Sequence, residues 1–345
     1  MRSLTSLEYS YLVENEFKKL IGKHFSKVQR ISETKLRFKI GDTDLIFECG
    51  IRIHQTKYME EVEEPTGLEL LLKKYLDNAK LLDVYQHNKD RIIAFNFQAG
   101  KEKCSLVFEM FGKGNMILVQ NDLTLAALKE ETWSDRVIKK AEEYKFPKSN
   151  VIDNLDDAIE NNKEKYIVIA LLKLPLGKEY ALDILERCKI EQKSPCATIG
   201  KSDIEKLKNE IQKLILEQKP VGFYKDNKIN DFGLTSFSKY ADLEAREFSK
   251  LSEAADEHYW SNKEEKNHKL DKIERRLEEQ MKKLEELAVE EKEHKERGDY
   301  IYANYQQIEE ILKIAKTAKL EELEQKLEKL KAKVDKKEKT IEIEI

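Results

Sequence analysis

Asp90 and Arg91 stand at the mouth of an alternating apolar stretch, Ile92-Ile93-Ala94-Phe95. Arginine presents a planar fork of donors that fits a phosphate. A neighbouring aspartate can orient that fork, or accept from a base or a ribose. The same two residues can equally form a surface ion pair at a strand start, which contributes little. Downstream, Glu109-Met110-Phe111 leads into Gly112-Lys113-Gly114-Asn115, set between two apolar runs. The glycines fit a tight turn that needs positive φ, and Lys113 at its tip is within reach of a phosphate. This is no P-loop, because GxxxxGK followed by Ser or Thr is missing, and no GxGxxG precedes a helix. Lys73, Lys74 and Lys80, with Arg91, form either a basic patch or a solvated helix face, and both readings stand.

Other chemistry finds no constellation in the sequence. Cys49, Cys104, Cys188 and Cys196 share no CxxC spacing and read as reduced, buried thiols. The histidines show neither HxxxH nor HExxH spacing, so no metal site is expected. With no nucleophile–base pair and no nucleotide loop, neither catalytic residues nor a cofactor are expected. The chain has 345 residues, 40% hydrophobic and 38% charged, with a formal net charge of -4. That charge does not announce a nucleic-acid binder, so any RNA contact must use local basic patches. The start lacks an apolar signal-peptide core, and no apolar run is long enough to span a bilayer. A cytoplasmic, membrane-free protein is the expectation.

The elements that must position Asp90 and Arg91 follow from periodicity. Residues 5–24 approximate a 3.6 period through Leu7, Tyr11, Val13, Phe17, Leu20 and Ile21, a helix. Residues 27–56 alternate as strands, with Leu36, Phe38 and Ile40 on one side and Gly41-Asp42-Thr43-Asp44 as turn. Thr66, after Pro65, caps a helix through Leu68–Asn78. Strands return over 81–120, and a helix is expected between Trp133 and Pro147. Residues 151–242 read as short helices with Leu174-Pro175-Leu176-Gly177 between two of them, and a second pair around Ile199-Gly200. Such hairpins offer the N–H groups at Gly177 and Lys178 to a phosphate, though a plain helical linker fits equally well. A strand pair is expected within 223–240. From 243 the chain turns Lys/Glu-rich. Leu270, Leu277 and Leu284 repeat at seven, with Ile273 and Leu287 at complementary positions, and Arg297-Gly298-Asp299 is expected to interrupt the helix. Leu320, Leu323, Leu327, Leu330 and Val334 form a second heptad run, and the last residues alternate like a strand. The seam needs a partner, either a returning helix or a second chain.

Asp90-Arg91 and the glycine turn, in this order and followed by Trp133, Arg136, Tyr144 and Pro147, resemble the amino-terminal half of the NFACT family. These are ribosome quality-control proteins, once labelled fibronectin-binding protein A-like and called nuclear export mediator factor in animals. The resemblance spans nearly the whole chain. It implies an α+β fold with three parts. Residues 1–150 form a mixed α/β amino-terminal domain similar to that of the formamidopyrimidine-DNA glycosylases. Residues 151–242 form a small helix-hairpin-helix module, and residues 243–345 the first half of a long α-helical coiled-coil arm. Family members continue into a returning helix and an RNA-binding domain, so a fragment is expected.

By the same resemblance, Asp90 and Arg91 are implicated in tRNA binding, with Glu109, Met110 and Lys113 near the site. Lys73, Lys74, Gly177 and Lys178 are expected as further phosphate contacts. The partners implied are tRNA and the large ribosomal subunit carrying peptidyl-tRNA. A ubiquitin ligase or stalk protein, or a second copy of the chain, is implied at the coiled coil. The activity implied is rescue and carboxy-terminal tailing of stalled nascent chains, with peptidyl transfer left to the ribosome. A glycosylase would use an amino-terminal proline followed by glutamate, where this chain has Arg2 and Ser3 after Met1. A fibronectin-binding adhesin and a coiled-coil scaffold are the competing functions.

Overall fold

A computed structural model of the protein describes residues 2–317, 332–335 and 340–343. The chain divides into two compact units, Met1–Glu264 and Glu265–Ile345. In the first unit, helix α1 (Ser6–Leu12) starts in a capping box, with Thr5 accepting from the Glu8 N–H and Glu8 accepting from the Thr5 N–H. It continues through a wide turn, Val13–Phe17, and a tight one, Lys18–Leu20. The departure from a regular α-helix keeps Leu7, Leu12, Val13, Phe17 and Leu20 buried along one side, while Ile21 is exposed.

Strands β1 (Phe25–Ser32), β2 (Lys35–Ile40), β3 (Thr43–Glu48) and β4 (Arg52–Gln55) form an antiparallel sheet in sequence order. Leu36, Phe38 and Ile40 point into the core, as their alternation requires. Helix α2 (Gly67–Leu76) is capped by Thr66 and Glu69. A second antiparallel sheet runs β5 (Lys80–Gln86), β6 (Ile92–Ala99), β7 (Glu102–Glu109), β8 (Asn115–Gln120) and β9 (Leu123–Ala127). The two sheets meet face to face through aromatic side chains: Phe108 lies 5.6 Å from Phe38 and 5.2 Å from Phe47 between ring centroids.

The helix expected between Trp133 and Pro147 is instead a hairpin of β10 (Glu131–Thr132) and β11 (Val137–Ile138), followed by an extended strap. The Trp133 N–H donates to the Arg136 carbonyl at 2.9 Å and closes the turn. The extended form wins because it lays Ile138 and Tyr144 over the outer face of the second sheet. There they bury a second small core with Ile92, Ala94, Val107, Ile117 and Val119.

Helices α3 (Leu155–Glu160), α4 (Ile167–Leu171), α5 (Lys178–Arg187) and α6 (Lys201–Leu216) follow. Leu174-Pro175-Leu176-Gly177 joins α4 to α5, where the sequence places it. Strands β12 (Val221–Lys225), β13 (Lys228–Gly233) and β14 (Glu244–Glu247) form a three-stranded sheet with β12 in the middle. One core runs from Leu4 to Tyr259, so the residues read as an amino-terminal domain and as a helical module share their hydrophobic interior.

Helix α7 (Leu251–Ala303) begins on that core with Leu251, Ala254, Ala255 and Tyr259 buried. It runs unbroken through Gly298, contrary to the expected interruption. A single glycine costs a helix about 1 kcal/mol against alanine, too little to break one of this length. The break comes at Asn304, before α8 (Tyr305–Thr317). In the second unit, Ile273, Leu277, Leu284 and Leu287 of the seam are exposed. The Leu270 side chain and Leu320, Leu323, Leu327 and Leu330 lie outside the described residues. Val334, read as the end of a heptad run, is in strand β15 (Ala332–Asp335), opposite Ile341 of β16 (Thr340–Ile343). Among the described residues no helix is long and apolar enough to cross a membrane.

Candidate nucleic-acid interface

Asp90 and Arg91 leave a tight turn, His87–Lys89, just before β6. Asn88 and Lys89 both take left-handed conformations, with φ of 48° and 52°. The Asp90 carboxylate accepts from its neighbour's backbone, Arg91 N–H, at 2.7 Å, and from the Ser149 hydroxyl at 3.4 Å. The Gln86 amide ties the Asp90 carbonyl at 2.8 Å and the Ser6 carbonyl at 2.9 Å, linking the turn to α1. The Arg91 carbonyl accepts from the Met110 N–H at 2.7 Å. Among the described residues the Arg91 guanidinium has no hydrogen bond or ion pair, so the surface ion pair with Asp90 is not what forms.

Arg91 opens into a cleft of about 810 Å³. Its walls come from the start of the chain, the Asp90-Arg91 turn, the strap at Pro147–Val151, and the α4–α5 connection. Five cations line it, Arg2, Arg91, Lys148, Lys173 and Lys178, against two carboxylates, Asp90 and Glu179. Glu179 is already paired with Lys239. The α5 N-terminus adds its backbone donors, since the N-cap, Gly177, supplies no side-chain acceptor. Gly177 has φ +105°, and a Cβ there would lie 2.5 Å from the Thr5 Cβ, so only glycine lets this helix end approach α1 so closely. The fold thus brings four of the sequence-predicted residues, Asp90, Arg91, Gly177 and Lys178, to one cleft.

Arg2 forms the floor. Its guanidinium pairs with Glu8 and with Asp231 (2.7 Å) and lies 4.3 Å from the Phe232 ring centroid. Its carbonyl accepts from the Tyr259 hydroxyl at 2.9 Å, and Glu8 also accepts from the Tyr180 hydroxyl at 2.8 Å. Burial pushes the Asp231 carboxyl up, but Arg2 and the Tyr240 hydroxyl outweigh it and hold the group below the usual range. Burial, reinforced by Glu8, drives the Tyr180 phenol well up, so it stays a donor. Sequence reasoning singled out Arg2 only as a missing nucleophile, and passed over Lys148 and Lys173. No local pattern marks any of the three, because their partners are far away in the chain.

The remaining predicted residues lie elsewhere. Glu109 is 2% exposed, its carboxylate held by the Arg136 guanidinium (Nη2 at 2.8 Å) and the Tyr144 hydroxyl (2.9 Å). Burial and the Glu109 charge push the Tyr144 phenol upward. Met110 is fully buried. Neither lines the cleft, and Met110 reaches Arg91 through its backbone N–H. Lys113 is exposed at the β7–β8 loop, whose carbonyl at that residue accepts from the Lys129 ammonium at 3.0 Å. Lys73 and Lys74 lie on the exposed side of α2, and like Lys113 they do not line the cleft.

Residues 11–345 match the family described as NFACT N-terminal and middle domains. The chain is 32% identical over 293 residues to the archaeal Rqc2 homologue aRqcH of Methanocaldococcus jannaschii, covering 76% of this chain and 43% of that one. It is 26% identical over 173 residues to ribosome quality control complex subunit 2 of Saccharomyces cerevisiae, covering 47% of this chain and 16% of the yeast protein. The chain therefore spans less than half the length of these relatives. In fold it is similar to the fibrinogen binding protein from Staphylococcus aureus, with a TM-score of 0.60 and 16% identity over 74% of this chain and 98% of the other. The chain belongs to the NFACT family.

Proposed function

We propose that this chain is the tRNA-reading part of a ribosome quality-control factor, acting in the cytoplasm on obstructed large ribosomal subunits that carry peptidyl-tRNA. The observation that carries the proposal is the Arg91 guanidinium, unpaired among the described residues, in a cleft also lined by Lys148, Lys173 and Lys178. Such a site takes phosphate, because charge-assisted bonds from arginine to phosphate are among the stronger hydrogen bonds available. Asp90, bonded to the Arg91 backbone N–H and to Ser149 rather than to the Arg91 guanidinium, leaves that fork free. Gly177 and Lys178 supply a helix end for a second phosphate oxygen. The names of the archaeal and yeast relatives support a role in ribosome quality control. In this reading the protein performs no bond chemistry. It holds tRNA on the stalled subunit, supporting rescue and carboxy-terminal tailing, while the ribosome transfers the peptide. The exposed seam of α7 serves a protein partner: a ubiquitin ligase, a stalk protein or a second copy.

The test is sedimentation of the wild type and Arg91→Ala with large subunits carrying peptidyl-tRNA, against empty subunits. Selective co-sedimentation that Arg91→Ala loses, with an unchanged unfolding midpoint, is the expected result. Equal binding by wild type and variant would remove Arg91 from the site. Equal binding to loaded and empty subunits would remove tRNA from the mechanism.

A further inference from the structure

We propose a second RNA-phosphate contact outside the cleft, at the corner of the first sheet formed by Lys23, Lys27 and Lys39. Lys27 and Lys39 are direct partners in the β1–β2 register, so their side chains leave one face side by side. Like charges directly opposite each other on neighbouring strands destabilise a sheet. Neither ammonium group has an ion-pair partner among the described residues to relieve it, and the same holds for Lys23. Lys23 is brought to this corner by Gly41. A Cβ on Gly41, at φ +58°, would lie 2.6 Å from the Lys23 Cδ, so the lysine stem crosses the β2–β3 turn two residues beyond Lys39.

The other cations on this face are answered. Lys35 pairs with Glu60 at 2.5 Å, brought over by the segment after β4. Arg37 lies 3.8 Å from Asp44 and donates to Gln29 at 2.6 Å. Arg52 pairs with Glu48 at 2.8 Å and lies 4.2 Å from the Tyr259 ring centroid. The neighbouring carboxylates at the corner are Asp42, at the turn tip, and Asp44, which stands opposite Lys39 in the β2–β3 register and lies 3.8 Å from Arg37, so two carboxylates are set against Lys23, Lys27, Lys39 and Arg37. A positive excess therefore remains at one end of a face that is otherwise balanced, in a chain whose formal net charge is -4.

Three lysines along a sheet corner, Lys27 exposed and Lys23 and Lys39 half-buried, do not by themselves select a small anion. They suit the repeated charges of an RNA backbone, a contact that is sequence-independent and salt-dependent. The inference rests on RNA being the partner, as proposed above, but not on the cleft. On binding, the repulsion between Lys27 and Lys39 turns into attraction for one strand, which gives the unfavourable pair a use.

The test is the affinity of the full chain for deacylated tRNA between about 50 and 200 mM salt, for wild type, Lys27→Gln/Lys39→Gln and Arg91→Ala. The double variant is expected to flatten the slope of log affinity against log salt by about two units, one per phosphate contact. Its unfolding temperature is expected to stay level or rise, since a repulsion has been removed. Lys101→Gln/Lys103→Gln, at the β6–β7 turn, removes the same charge from another face and is expected to leave the slope close to wild type. A slope unchanged in Lys27→Gln/Lys39→Gln, or equally flattened in the control pair, would overturn the proposal. If Arg91→Ala binds like wild type while the corner variant does not, the cleft assignment fails and this one stands. No tRNA affinity at the lowest salt would sink both.

Discussion

Arg136 grips Glu109 with both terminal nitrogens, and Glu109 stands opposite Ile92, the residue after Arg91, in the β6–β7 register. Their side chains are 7% and 2% exposed, so each charge depends on the other. The pair fastens the 131–151 strap to the end of β7, and the same strap delivers Lys148 to the cleft and the Ser149 hydroxyl to Asp90. Glu109 is thus a positioning residue. Glu109→Gln strands a buried guanidinium and is expected to cost about 3 kcal/mol in urea unfolding. Glu109→Leu combined with Arg136→Met should recover much of that loss, because no charge is left unpaired. If Glu109 were a direct tRNA contact, Glu109→Gln would weaken binding at undiminished stability.

The glycine turn separates into two positions with different demands. Gly112 has φ +56° with nothing within 4 Å of a built Cβ, whereas a Cβ on Gly114 would lie 2.1 Å from the Gly50 backbone nitrogen. Two turns touch there, main chain to main chain, and neither can yield as a flexible side chain would. Gly112→Ala should cost about 1 kcal/mol, the usual penalty for a left-handed alanine. Gly114→Ala should cost more than about 2 kcal/mol, because the turn must also move away from Gly50. Equal unfolding midpoints for the two variants would contradict this contact.

Local physics made much of the first unit legible. The alternation around Leu36, Phe38 and Ile40, the Thr66 cap and the Gly41 turn each depend on neighbours a few residues away, and all appear where the sequence places them. The strap after Trp133 did not, because its conformation is decided by what it covers. Ile138 and Tyr144 gain more from the second sheet's outer face than a helix of the same residues would. The cleft divides in the same way. Arg91 was visible through the order of motifs around it, and Gly177 through its place between two helices. Arg2, Lys148 and Lys173 converge only in three dimensions, and nothing near them in sequence distinguishes them from solvated surface charges.

The α7 seam carries its own expectation. Leu277 and Leu284 are 56% and 67% exposed at heptad spacing. Apolar residues repeating this way on a charged helix favour burial against a second helix. If that helix belongs to a second copy, the mass in solution should rise with concentration, and Leu277→Lys/Leu284→Lys should hold the chain monomeric without lowering its tRNA affinity. A monomeric wild type at every concentration would assign the seam to a different protein or to another segment of the same one.

Acid should loosen the base of α7. Burial, chiefly, lowers the His258 pKa from 6.5 to about 4, and the ring packs 5.3 Å from Phe232 between centroids. His54, fully buried, is also pushed well down by burial and by Arg52. A histidine depressed in the folded state is neutral there and takes up its proton on unfolding. Its contribution is therefore complete above the unfolded value and is lost as pH falls towards the folded one. For His258 the loss amounts to about 3 kcal/mol, taken at 1.36 kcal/mol per pH unit. Glu16 and Asp256, whose carboxyls burial pushes up, titrate in the opposite sense and partly mask it in the wild type. The difference between wild type and His258→Gln isolates the histidine. Urea unfolding from pH about 7 down to about 4 should show the wild type losing the larger share of its stability, with the two curves converging at the acid end. Parallel curves would mean that His258 meets enough water to hold its proton in the folded chain.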